Sequence, residues 1–144
     1  MQVTPYLCFE GRCDEALKFY EDAIGAKTEA LMRFREAPQA PEEGGCGEMP
    51  AGVTGDKVMH AEFSVGDTRL MASDGRCTGN PRFDGIALTI QARDDEHAER
   101  LFGALADGGK VELPLERTFF ASRFGMVADR FGVGWMIISN PASS

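Results

Sequence analysis

In the stretch VMHAEF, His60 and Glu62 place an imidazole and a carboxylate on alternate positions, with Ser64 two residues further on. In an extended chain alternate side chains share a face, so the two groups would project from one side of a strand. Three readings stay open. The pair could begin a metal site, which needs three or four such ligands. His60 could be a structural histidine hydrogen-bonded to a neighbouring strand. Or it could line a ligand cleft and work as acid or base, with Glu62 orienting the ring. The other histidine, His97, falls on a helical pattern and reads as a surface residue.

Further candidates are spread along the chain. Tyr6 lies in the first strand-like segment and could face a ligand or fill a core. Ser73-Asp74 ends a strand and opens a loop, as a loop cap or as a polar cleft wall. Phe119, Phe120, Phe124 and Trp135 gather near the end of the chain, where aromatics either stack on a planar ligand or form core. Cys13 precedes a helix whose N-terminus could lower a thiol pKa, or it is simply packed. No GxSxG, GxxxxGK[ST] or HExxH pattern supports a hydrolase elbow, a phosphate loop or a zincin.

Composition narrows the classes. The 144 residues carry 23 acids against 15 bases, a net charge of −8, which argues against nucleic acid, whose phosphates need a basic footprint. No apolar run reaches the ~18 residues a membrane helix needs. The start, MQVTPYLCFEG, reads directly as a strand and not as a leader. Cys8, Cys13, Cys46 and Cys77 show no CxxC pair, so reduced thiols in a cytoplasm are expected.

The elements that must position these groups follow from periodicity. A strand spans Thr4–Glu10, and a helix Asp14–Ile24 has apolar residues at i, i+3/4 and i+7 and is stopped by Gly25. A strand follows over Lys27–Arg35, then a long Pro/Gly/Glu-rich loop over 37–56 of the kind that covers a site or stays mobile. Strands Lys57–Val65 and Thr68–Ser73 form a hairpin through Gly66-Asp67, and a second loop runs over 74–85. Next come a strand to Ala92, a helix over 95–107 with Asp94 as N-cap, and a strand Lys110–Arg117 broken by Pro114. The chain closes with strands Gly125–Arg130 and Gly134–Ser139 and a PASS tail.

That order is strand–helix–strand–strand–strand, twice. FYEDAIGAKTE (19–29) matches FGALADGGKVE (102–112) in Phe, Ala, Gly, Lys and Glu, and VGDTRLMASD (65–74) matches FGVGWMIISN (131–140) in Gly and Ser. The expected fold is α+β, a single domain of two βαβββ modules, about 1–75 and about 84–140.

With this pattern, the Pro5-Tyr6 start, Gly11-x-Cys13, His60-Ala61, Ser73-Asp74 and the closing run FGMVADRFGVGWMI (124–137) make the chain resemble the vicinal oxygen chelate superfamily. The resemblance is to its PhnB-like (YjdN-like) branch, often labelled a 3-demethylubiquinone methyltransferase domain. It implies a partly open eight-stranded barrel with helices outside, half-clefts completed by a homodimer, and a small-molecule ligand. Methyl transfer from S-adenosylmethionine usually takes a doubly wound sheet with a glycine-rich first turn; the turn here, EGRCD, has one glycine. The superfamily's metal enzymes take His, Gln or Glu from the first and last strands of each module. The corresponding positions here hold Thr4, Pro5 and Tyr6, then Gly85–Ala87, then Met71, and Trp135 or Met136. None suits a hard cation, so no metal or other cofactor is expected.

The resulting expectation is a cytoplasmic, homodimeric small-molecule-binding protein without the usual metal and without nucleic-acid or membrane partners. His60 and Glu62 are the tentative catalytic pair, and Tyr6, Ser73, Asp74, Phe119, Phe124 and Trp135 the ligand-binding set. The alternative is a lyase, isomerase or dioxygenase-type enzyme using His60/Glu62 as an acid–base pair or as displaced metal ligands. In a third reading the aromatics fill the cleft and the protein acts through a partner surface.

Overall fold

The structure, a computed structural model, describes residues 1–36, 55–75 and 80–140. The greater part of the 37–56 loop, the PASS tail, Cys46 and Cys77 lie outside the described residues. The chain divides into two compact units, 1–81 and 82–144.

In the first unit, β1 (Tyr6–Cys8) leads to α1 (Cys13–Ile24), β2 (Lys27–Arg33), a 3-10 turn at Phe34–Glu36, β3 (Val58–Val65) and β4 (Thr68–Ser73). The sheet order is β1-β4-β3-β2, with β1 parallel to β4 and the other pairs antiparallel. Gly25 ends α1 at φ 72°, where its lack of a Cβ costs nothing, and its N–H bonds the Tyr20 carbonyl. One face of the helix buries Ala16, Leu17, Phe19 and Tyr20. Tyr20 stacks on Phe63 with centroids 6.0 Å apart, and Phe9 closes the other side at 6.0 Å. Each large apolar side chain so buried contributes roughly 1.5–3 kcal/mol.

The second unit repeats the path with β5 (Ala87–Ala92), α2 (Asp95–Ala106), β6 (Lys110–Glu116), β7 (Arg123–Ala128) and β8 (Gly134–Ser139), in sheet order β5-β8-β7-β6. Its core holds Ala98, Leu101 and Leu105 of α2 with Val127, Trp135 and Ile137 of the sheet. Gly125 lets α2 and β6 approach closely. A Cβ there would lie 2.7 Å from a Phe102 ring carbon and 2.9 Å from the Leu115 Cα. The fold is thus α+β, two βαβββ modules, each with one four-stranded mixed sheet among the described residues.

Two sequence expectations need adjusting. β7 ends at Ala128 and not at Arg130. Asp129 Oδ1 takes the N–H groups of Phe131 (2.8 Å) and Val133 (3.1 Å), curling the chain out of the strand. The helix-end match (19–29 with 102–112) puts β2 and β6 in register at Lys27 and Lys110. The hairpin match that keeps Gly66/Gly132 and Ser73/Ser139 does not preserve faces. It equates buried Leu70 with half-buried Met136, whereas the buried neighbours on β8 are Trp135 and Ile137. The β3–β4 turn has two residues and the β7–β8 loop (129–133) five, and the strand pairing equates Ala72 with Ile137, one residue away from the letter match. In strands, one residue exchanges the faces.

Candidate functional site

On β3, Ala61 and Phe63 are fully buried, so alternation turns His60, Glu62 and Ser64 to the opposite face. Tyr6 on β1 shares that face, because it is paired with Met71 and Met71 is paired with Glu62. The tight β3–β4 turn sets Arg69 opposite Ser64. Four side chains from three strands therefore meet in a row. The Tyr6 hydroxyl lies 3.4 Å from His60 Nδ1, and their rings sit 5.7 Å apart at 32°. His60 Nε2 lies 3.3 Å from Glu62 Oε2, and Arg69 Nη1 donates to Glu62 Oε1 at 3.3 Å. The side chains are 35% (His60), 29% (Glu62) and 64% (Arg69) exposed, so the row is reachable from solvent. Arg69 was not among the sequence candidates. Its signal was present, since a two-residue turn at Gly66-Asp67 fixes which β4 residues lie beside Glu62.

Ser73 and Asp74 sit elsewhere. Both are buried, Asp74 to 1% exposure. Asp74 Oδ1 accepts the N–H of Cys13 (2.7 Å) at the first turn of α1, and Oδ2 accepts the N–H of Val58 (2.6 Å) at the start of β3. The carboxylate is a bracket joining helix and sheet. Ser73 Oγ accepts from the Gly75 N–H at 3.0 Å, the loop-cap geometry. Cys13 is fully buried as well. Burial pushes its thiol well above the ordinary range, and the Asp74 carboxylate adds to the rise. The lowered thiol pKa raised by the sequence is overturned, because desolvation outweighs the helix N-terminus.

In the second module the aromatics separate. Phe119 and Phe120 meet edge to face at 5.1 Å, and Phe120 meets Phe124 in the same way at 5.1 Å. Phe119 is fully exposed and Phe120 partly so. Trp135 does not join them. It is buried, and its indole N–H donates to Asp129 Oδ2 at 2.9 Å. Asp129 thus ties Trp135 to the loop before it, a bracket that the sequence reading missed. His97 completes the cap of α2. Its N–H donates to Asp94 Oδ1 (2.7 Å), and its ring Nδ1 accepts the N–H of Arg93 (3.2 Å). Partial burial, then the charges of Arg93 and Arg100, hold that ring's pKa below its usual value.

A metal of the kind the superfamily's enzymes use does not fit the described residues. No group of three His, Cys, Asp or Glu side chains among them could hold an ion. Both ring nitrogens of His60 already face partners, and a cationic guanidinium flanks Glu62. Coordination through His60 would displace Tyr6 or Glu62.

The family described as 3-demethylubiquinone-9 3-methyltransferase matches residues 1–138. Protein YjdN of Escherichia coli (strain K12) is 32% identical over 139 residues, covering 95% of this chain and 94% of that protein. Among solved structures, protein PA1353 from Pseudomonas aeruginosa is 38% identical with a TM-score of 0.79, covering 97% of this chain and 98% of the other. The Bacillus cereus PhnB protein, described as a putative 3-demethylubiquinone-9 3-methyltransferase, is 25% identical with a TM-score of 0.76, covering 96% and 99%. At 8% identity and a TM-score of 0.63, the fosfomycin resistance protein FosX of Listeria monocytogenes shares the fold over 97% of this chain and 93% of its own.

Proposed function

The chain belongs to the family described as 3-demethylubiquinone-9 3-methyltransferase, with YjdN as a relative, and from that premise we propose a small-molecule-binding protein that works without a resident metal. The observation that carries this reading is the half-exposed row Tyr6–His60–Glu62–Arg69 on one sheet face of module one. A few fixed polar groups on an accessible face are what a binding site needs to orient a ligand. The methyl transfer in the family's description finds no support in either sheet: both are mixed four-stranded sheets, unlike the doubly wound sheet that usually carries S-adenosylmethionine.

An enzyme is the second reading, favoured by the contact between His60 and Glu62. An imidazole oriented by a carboxylate is a ready acid–base pair. The reading also includes a homodimer, for which the exposed Phe119–Phe120 pair is the support, and a cytoplasmic location, in keeping with the reduced thiol of Cys13. Light scattering on the purified protein tests the dimer.

The test of the main reading is metal content by plasma mass spectrometry on protein purified without chelator, then again after incubation with Fe(II), Mn, Ni and Zn. A ratio near zero throughout is expected. About one ion per chain would overturn the metal-free reading and make His60 and Glu62 the first residues to replace. Alongside it, a panel of planar organic cations should include members that raise Tm with increasing concentration. A panel that leaves Tm flat would count against ligand binding.

A further inference from the structure

We propose that a neutral His97 is an obligatory partner in the cap of α2, so that charging its ring opens the junction between β5 and α2 while the rest of the helix stays docked. The device belongs to module two and does not depend on the ligand reading above. It follows from which atoms can donate at the first turn of the helix. A backbone N–H can only donate. The N–H of Arg93 donates to His97 Nδ1 at 3.2 Å, so Nδ1 holds a lone pair and the neutral ring carries its hydrogen on Nε2. In return the N–H of His97 donates to Asp94 Oδ1 at 2.7 Å.

This is a reciprocal cap with one unusual member. Asp94 is the N-cap, and His97 is the third residue inside. In the common capping box that third position holds Glu or Gln, whose side chain accepts from the N–H of the cap residue. Here an imidazole takes the place and reaches one residue further back, to the N–H that follows the end of β5. A Gln side chain accepts at any pH. An imidazole accepts at Nδ1 only while it is neutral.

A second proton sets Nδ1–H against the Arg93 N–H, donor against donor, and that bond must break. The charge would also stand at the positive end of the helix dipole. Partial burial, then Arg93 and Arg100, favour the neutral ring, and Asp94 opposes them. Among the strands packed on α2, β5 and β8 carry no charged residue. Arg123 of β7 is turned to Asp95 and Glu99, and Lys110, Glu112 and Glu116 of β6 are exposed. Because the folded pKa lies below the unfolded one, the stabilisation is complete above the ordinary imidazole value, about 6.5, and is lost as the pH falls through the folded pKa. The other ties of the first turn do not need a neutral ring. The His97 and Ala98 N–H groups still reach Asp94, and Asp95, held below the usual carboxylate range, still takes the hydroxyls of Ser122 and Ser139.

NMR of the full-length protein through an acid titration tests this, with nitrogen-15 histidine labelling for the rings and amide exchange, corrected for its own pH dependence, for the backbone. There are two histidines, and a His97→Gln variant assigns them. Neutral His97 should carry its hydrogen on Nε2 alone. As the ring charges, the Arg93 amide should lose about fivefold in protection, the value of one neutral hydrogen bond, while the Ala98 amide keeps its own. His97→Gln should hold Arg93 protected throughout, and His97→Ala should leave it unprotected at every pH. A hydrogen on Nδ1 of the neutral ring would overturn the inference. So would an Arg93 protection that does not follow the His97 titration, or one that still titrates in His97→Gln. Equal loss at Ala98 would show the whole helix end fraying and would overturn the localised opening.

Discussion

The two modules follow one path, yet the sheet faces they turn away from their helices differ in kind. In module one that face carries Tyr6, His60, Glu62 and Arg69, linked in a row. The corresponding face of module two carries the apolar Leu113, Phe124, Met126, Met136 and Ile138, with Thr89, Gln91 and Glu116 beside them by strand pairing. On the helix side the two are alike, with Ala61, Phe63, Leu70 and Ala72 in one and Gly125, Val127, Trp135 and Ile137 in the other, all buried. Duplication has kept what the fold requires, an apolar face against a helix. The other face differs, and the linked polar row is found on module one.

Each module also carries one buried aspartate whose oxygens serve as hydrogen-bond acceptors, and breaking these should give the largest effects. Asp74→Ala leaves the amides of Cys13 and Val58 without their carboxylate, and Asp129→Ala removes the acceptor of Phe131, Val133 and the Trp135 indole. At 1–3 kcal/mol per buried donor left unsatisfied, with partial relaxation, each should cost about 2–4 kcal/mol. Urea unfolding gives the total. Amide exchange at Cys13 and Val58 tests the location for Asp74, and the fluorescence of Trp135, the single tryptophan, does so for Asp129. A cost under about 1 kcal/mol for Asp74 would mean that the bracket is not structural. It would return that carboxylate to the list of binding groups.

The second prediction concerns the facing positions Ala61/Ala72 and Gly125/Ile137, which fill the same place in the two sheets with different partition of volume. Module one shares the space between two alanines. Module two gives it to isoleucine and leaves a glycine, whose added Cβ would meet the Phe102 ring and the Leu115 backbone. Gly125→Ala should therefore cost about 1–3 kcal/mol by overpacking. Thermal melts of Gly125→Ala, and of Gly125→Ala with Ile137→Ala, measure it. The double variant should cost less than the sum of the two single changes if the two positions trade volume. Additive costs would show that they do not.

Local signals made the fold legible. The helices declared themselves by spacing and by glycines after their last turns, the tight hairpin by Gly66-Asp67, and the repeat by Phe, Gly, Lys and Glu at the helix ends. The pairing of His60 with Glu62 was readable from alternation alone. Asp74 and Trp135 were misplaced because burial of a polar group is a tertiary fact. A strand-end aspartate looks the same in sequence whether it faces a cleft or bonds two amides in the core. The one-residue slip between the hairpins escaped for a related reason, since matching Gly and Ser letters says nothing about which face each residue takes.

The smallest effect sharpens the comparison at the helix N-termini. In module one the carboxylate there, Asp74, comes from the end of β4 and grips the backbone. In module two Asp94 caps the backbone, and a second carboxylate, Asp95, belongs to the helix itself. Asp95 Oδ1 accepts hydrogen bonds from the hydroxyls of Ser122 (2.5 Å) and Ser139 (2.9 Å), with the Arg123 guanidinium 3.7 Å from Oδ2. The Ser122 hydroxyl above all, then Ser139 and the charge of Arg123, hold Asp95 below the usual carboxylate range, and partial burial opposes them. Because the folded pKa lies below the unfolded one, this contribution is present in full above the ordinary carboxylate value and is lost as the pH falls through the folded pKa. Ser122→Ala should raise the pKa of Asp95 toward its ordinary value. The acid limb of the stability curve would then begin at higher pH than in the wild type. Carbon-13 carboxyl shifts of Asp95 across an acid titration measure the first effect, and melts over the same range the second. A variant whose Asp95 titrates as in the wild type would show that Ser139 and Arg123 suffice. Its carboxylate would then owe its ionisation to the start of β7 and the end of β8, the latter matching the strand end that in module one supplies Asp74.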